Sequence, residues 1–167
     1  TLESYEEHTC YALFMSGQPD KSWRVDPGKG NYFQLKGYLE LLLRRFGCDI
    51  YSLQTDAAPA DLFSEGLSYS LPGSNMPLAV MGTISPARLK QFGIKQPVFA
   101  AEINWPTLFT LIKRNKIRYS ELPKFPEVRR DLALLLDESV SYADLRKSAF
   151  RAGKKLLKQV GLFDVYR

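Results

Sequence analysis

Histidine is nearly absent from this chain. His8 is the only one, and Cys10 and Cys48 are the only thiols. Zinc sites draw on clustered Cys and His, so neither a structural nor a catalytic zinc finds its ligands here. Two thiols so far apart form no disulfide framework and suit a reducing cytoplasm. A Ser-His-Asp triad would have to use His8, close to a chain end, which argues against that chemistry. Long apolar runs are missing as well: none approaches the roughly 18 residues of a membrane span. The opening stretch TLESYEEHTCYALF has no basic region ahead of an apolar one, so it does not read as a secretory signal. It also lacks an initiating Met, from which a fragment or a processed form is expected.

Phosphate-binding glycine loops are absent too. There is no GxxxxGK[ST], and no GxGxxG follows a strand-like run. Pro27-Gly28-Lys29-Gly30 lacks the spacing of a phosphate cradle and reads as a mobile turn. Glu3, Glu6 and Glu7 show no partner. Glu102-Ile103-Asn104 reads as the end of a strand that caps a helix. The residues therefore give no catalytic constellation, no resident cofactor site and no metal site.

What is present is the composition of an ordinary globular chain. Its 167 residues, 45% hydrophobic and 25% charged, suffice for one domain or one and a half with a buried core. The net charge of +5 is uneven. Residues 1–123 carry 13 Lys/Arg against 12 Asp/Glu, while residues 124–167 carry 10 against 6. The last quarter thus holds most of the excess, and a local positive field favours polyanions such as nucleic acid.

The pattern along the chain predicts mixed α and β structure. Residues 11–16 (YALFMS) read as a buried strand closed by Gly17. Asn31 caps a helix whose stripe is Leu35, Leu39, Leu42 and Phe46, with Gly47 at its end. Residues 48–53 (CDIYSL) alternate and read as a strand, and 55–65 as a polar connection. Residues 67–71 and 78–84 flank Pro72-Gly73-Ser74-Asn75, a hairpin signal, and Gly82 marks a bulge or a close backbone approach. Ser85-Pro86 opens a short helix, 97–103 form another strand, and Asn104 caps a helix containing Leu108, Leu111 and Ile112. The basic, twice proline-interrupted stretch 113–126 is the expected domain boundary, dividing 1–121 from 122–167.

Beyond it a βαβ unit is expected: a strand over 128–136, a helix opened by Ser141 and Asp144, and a strand over 162–166. Leu145, Ala149, Ala152 and Leu156 make the apolar stripe of the helix. Opposite it, Lys147, Arg151, Lys154 and Lys158 recur at i, i+4, i+7 and i+11. That row reads either as a solvated face or as a track for nucleic-acid phosphates.

Two motifs at a matching interval carry a family resemblance. Lys124-Phe125-Pro126-x-Val128-Arg129-Arg130-Asp131-Leu132-Ala133-Leu134 and Leu162-Phe163-Asp164-Val165-Tyr166 resemble the ferredoxin-like anticodon-binding domain of the bacterial phenylalanyl-tRNA synthetase beta subunit. Upstream, Tyr32-Phe33-Gln34-Leu35-Lys36-Gly37, Gly82-Thr83-Ile84-Ser85-Pro86 and Val98-Phe99-Ala100-Ala101-Glu102-Ile103 resemble the part preceding that domain. The resemblance implies an α+β chain: a class II synthetase-like antiparallel sheet flanked by helices, without catalysis, followed by a partial ferredoxin-like βαβ unit. A working class II site would need an arginine on a motif strand and a glycine-rich strand–helix ending in arginine, and neither is found. The implied assembly is cytoplasmic and hetero-oligomeric, alpha2 beta2 in the family, with ATP and magnesium at the alpha subunit and phenylalanine tRNA as partner. Arg129, Lys147, Arg151, Lys154 and Lys158 are the candidate nucleic-acid contacts, and Asp131 is expected to pair with one of the two adjacent arginines. The rival reading is a free-standing RNA-binding or editing-type module.

Overall fold

The computed structural model describes residues 5, 7–18, 21–24, 28–74, 76–114, 119, 121–122 and 124–166. The chain divides into two compact units, residues 1–119 and 120–167. The stretch read as a boundary, 113–126, falls partly outside the described residues.

The first unit is one antiparallel sheet under helices. Its strands are β1 (Cys10–Ser16), β2 (Gln54–Ala57), β3 (Phe63–Ser70), β4 (Pro77–Ile84) and β5 (Val98–Asn104), and its helices are α1 (Tyr32–Arg45), α2 (Pro86–Gln91) and α3 (Trp105–Arg114). The spatial order is β1-β5-β4-β3-β2. Alternation puts every second residue on one face. Through the registers Leu13↔Ala101, Ala101↔Met81 and Met81↔Leu67, one face gathers apolar side chains across four strands.

Helix α1 covers that face. Asn31 caps it, its Oδ1 accepting the Gln34 N–H at 2.9 Å. Leu35, Leu39 and Leu43, spaced four apart, are buried against Ala79, Met81, Ala101 and Ile103. The stripe therefore runs through Leu43. Leu42 and Phe46, expected in it, lie half-buried along its edge. Gly47 takes φ 78° and its N–H reaches the Arg44 carbonyl, closing the helix. Asn104 caps α3 through the Thr107 N–H at 2.9 Å, and this seats Leu108 in the same core. Ser85 precedes α2 without a side-chain cap bond; Pro86 begins that helix. Burial and the neighbouring Glu40 carboxylate, which accepts the Tyr69 hydroxyl at 3.2 Å, hold the Tyr69 phenol far above its usual range.

Residues 48–53 depart from the expected strand. Ile50–Ser52 form a short 3₁₀ turn, because the Asp49 side chain accepts the Tyr51 N–H and its carbonyl accepts both the Ser52 N–H and hydroxyl. Local side-chain bonds of this kind compete with ladder pairing. The strand begins only at Gln54, and its residues 55–57 lie in the stretch read as a polar connection.

The second unit contains α4 (Tyr142–Gly153). Ser141 and Asp144 exchange bonds as expected, the Asp144 N–H reaching Ser141 Oγ at 3.2 Å. The flanking runs 128–136 and 162–166, expected as strands, carry no ladder hydrogen bonds. Leu132, Leu134, Leu135, Leu162, Phe163 and Val165 are exposed. A strand is stabilised by its neighbour's N–H and C=O groups, and among the described residues neither run has such a neighbour.

On the sheet face turned away from α1, Gly66 and Gly82 stand opposite each other. A Cβ on Gly82 would meet the Glu65 carbonyl and come within 2.6 Å of the Phe63 ring. Gly82→Ala is therefore expected to destabilise the chain by about 1–3 kcal/mol. Gly37, inside α1 with open space where its Cβ would lie, gives the opposite result: Gly37→Ala should stabilise by about 0.4–1 kcal/mol. Chemical denaturation of the two variants checks the pair, and equal signs would contradict this packing.

Candidate nucleic-acid interface and the open sheet face

Two surfaces bear on function. The first is the sheet face opposite α1. Register places Cys10, Ala12 and Phe14 of β1 beside Asn104, Glu102 and Ala100 of β5. Val80 and Gly82 of β4 continue these rows to Ser68 and Gly66 of β3, and Asp56 of β2 stands next to Ser68. None of these strand positions is a lysine or arginine; the charged ones are Glu102 and Asp56. The Cys10 thiol donates to the Glu102 carboxylate, which together with desolvation raises it above its ordinary range. Phe63, 5% exposed, lies on Gly82 and fills the floor of the face, while Ala58 presses on Gly66. At the β5–α3 junction the chain passes from Asn104 to Trp105 with no glycine or arginine in β5.

A nucleoside triphosphate needs cations or oriented N–H groups on its phosphates. Among the described strand positions this floor offers two carboxylates and an aromatic plug instead, and no cation. The sequence gives little sign of this plug: Gly66 precedes the run 67–71, and only Gly82 is read as a close approach.

The second surface is the cation set of the second unit. Lys147 and Arg151 lie one turn apart on α4, both exposed. The helix ends at Gly153, short of the extent expected from the cation spacing. Leu156 and Leu157 N–H groups return to the Gly153 carbonyl, and Leu157 packs where a Cβ on Gly153 would stand. The chain then runs back, so that the Tyr142 hydroxyl at the helix start reaches the Val160 carbonyl at 3.0 Å. Lys154 thus sits on the turn and Lys158 in the returning segment; both are exposed, but they do not continue one helical row. Leu156, expected on the apolar stripe, is exposed for the same reason; Ala152, the last stripe position within the helix, is exposed as well.

Arg129 is exposed in the run before α4. Among the described residues no ion pair joins Asp131 to Arg129 or Arg130; Arg130 donates to the Arg129 carbonyl at 3.1 Å instead. Two further cations lie on α4 and in the turn after it. Arg146 stacks on the Phe150 ring at 4.6 Å, and Lys155 is exposed beside Lys154. Among the described residues no cluster of metal-ligating side chains occurs, and no helix is long and apolar enough to cross a membrane.

Comparison with known proteins places both units. Residues 1–105 match the family model of the phenylalanyl tRNA synthetase beta chain CLM domain. Residues 123–167 match that of the ferredoxin-fold anticodon binding domain. The fold is therefore α+β, an antiparallel synthetase-type sheet with flanking helices followed by part of a ferredoxin-type domain. The chain belongs to the phenylalanyl-tRNA synthetase beta subunit family. Its relatives include the phenylalanine–tRNA ligase beta subunits of Bacteroides thetaiotaomicron, 39% identical over 99% of this chain, and Bacteroides fragilis, 37% over 99%. That of Fusobacterium nucleatum is 35% identical over 92%. The chain spans about a fifth of the length of these curated relatives, 20%, 20% and 19% respectively.

Lys154 adopts φ 46° and ψ −125°, a region that favours glycine. Such a conformation costs about 1–3 kcal/mol in a non-glycine residue. Lys154→Gly is expected to slow amide exchange across α4 by about fivefold, the equivalent of about 1 kcal/mol. Faster exchange in the variant would contradict the strained turn.

Proposed function

We propose that this chain serves a phenylalanine–tRNA ligase as scaffold and tRNA-contact element of the beta subunit, with no catalytic residue of its own. Residues 1–121 form the catalytic-like module and meet the alpha subunit, where ATP and magnesium act. Residues 122–167 begin the anticodon-binding domain, and Arg129, Lys147, Arg151, Lys154 and Lys158 lie along tRNA phosphates. The working assembly is a cytoplasmic hetero-oligomer of alpha2 beta2 type that joins phenylalanine to its tRNA.

The observation that carries this reading is the sheet floor occupied by Phe63, with no lysine or arginine among the described strand positions of that face. A floor so filled supports a structural rather than an adenylate-forming use of the module. The basic excess of residues 124–167, with the five named cations exposed, supports the tRNA part of the reading. Contacts of this kind fix orientation and carry little sequence information.

The test is made on the complete heteromeric enzyme. Lys147, Arg151, Lys154 and Lys158 are changed together to Gln. The slope of log affinity for tRNA against log salt is expected to flatten by about 3 to 4, since each neutralised phosphate contributes about 0.9. Cognate and non-cognate tRNA should weaken alike, and tRNA-independent pyrophosphate exchange should be unchanged. An unaltered slope would assign the four cations to solvent. A loss of pyrophosphate exchange would place this chain in the catalytic machinery.

A further inference from the structure

A groove of about 500 Å³ runs along the first unit between α2, the loop that follows it and the end of the β3–β4 pair. Its floor is aliphatic: Ile84, Pro86, Leu89, Ile94 and Pro97. The local sequence builds it. Gly93 turns out of α2 at φ 67°, and the Ile94 N–H returns to the Leu89 carbonyl at 2.9 Å, which turns the chain back beside the helix. Phe92, next to the groove, is 78% exposed, and Ile94 39%.

The charges around this floor have one sign. Lys90 and Lys95 are the charged residues of its lining, both exposed, and no lining residue is acidic. Its size falls within the range of ligand sites, and an apolar floor with a few polar groups is their usual make-up. The groove lies open along the surface, whereas small ligands are mostly enclosed by their sites. Among the described residues its lining contains no aromatic ring, the usual platform for a nucleobase, and Phe92 stands only beside it.

We propose that this groove docks an extended segment of a partner protein in which one or two apolar side chains are flanked by carboxylates. The apolar side chains cover the Leu89–Ile94 floor, and the carboxylates meet Lys90 and Lys95. Opposite charges at the rim of such a contact govern encounter and choice of partner more than its raw strength. The inference stands on this surface alone and does not depend on the tRNA-contact reading.

A random twelve-residue peptide library displayed on phage, selected on the complete protein that carries this chain, tests it. The wild type should enrich peptides with an apolar anchor between Asp or Glu residues. Charge reversal by K90E and K95E together should weaken a selected peptide at least tenfold, measured by fluorescence anisotropy. Ile94→Asp should do the same at lower charge cost. All three positions are exposed, so the variants should unfold at the wild-type temperature. Enrichment of neutral or basic peptides, affinity indifferent to K90E and K95E, or no enrichment at all would overturn the proposal. So would a tenfold loss of tRNA affinity in the K90E/K95E variant, which would give the lysines to nucleic acid.

Discussion

The contact between the leucine row of α1 and the small residues at the centre of the sheet holds the first unit together. Leu35, Leu39 and Leu43 are almost wholly removed from water, and so are Ala79, Ala101, Met81 and Ile103 beneath them. Short side chains at Ala79 and Ala101 let the helix settle close to the sheet. Each buried leucine contributes about 1.5–3 kcal/mol relative to exposure. Asn31 and Gly47 fix where the helix begins and ends, and so keep those three leucines over the right strands. The same sheet orders its opposite face, because alternation ties every core residue to a neighbour pointing the other way.

The opposite face is shaped by two glycines and one aromatic ring. In a strand pair, Gly66 opposite Gly82 leaves a depression that a ligand or another backbone could enter. Here the chain's own Phe63 enters it, drawn in by the register shift between Phe63 and Glu65. The aromatic ring replaces side-chain packing that two glycines cannot supply. The same ring thus packs the strand pair and fills the depression.

Much of this was legible in the sequence, and the failures have physical reasons. Strands β1, β4 and β5 and helices α1 and α3 announced themselves through apolar periodicity bounded by Gly, Asn and Pro. β2 did not: Gln54, Thr55, Asp56 and Ala57 form a polar, exposed edge strand with no apolar pattern to read. Residues 48–53 alternated like a strand while Asp49 bent them into a turn. In the second unit, a spacing of 3.6 suggested a helix through Lys158. Periodicity is blind to the reversal at Gly153, where a missing Cβ admits Leu157. The cation types were readable from the sequence, but their arrangement was not. The family resemblance was legible from short motifs such as Leu162-Phe163-Asp164-Val165-Tyr166, which are read without knowing which strands pair.

Hydrogen–deuterium exchange on the proposed heteromeric enzyme, with and without ATP and magnesium, tests directly whether Phe63 closes the sheet floor. Exchange in β3, β4 and β5 of this chain is expected to be unchanged by nucleotide, because Phe63 occupies that floor. Protection appearing at residues 63–70, 77–84 or 98–104 on ATP addition, and persisting when the alpha-subunit site is blocked, would contradict it.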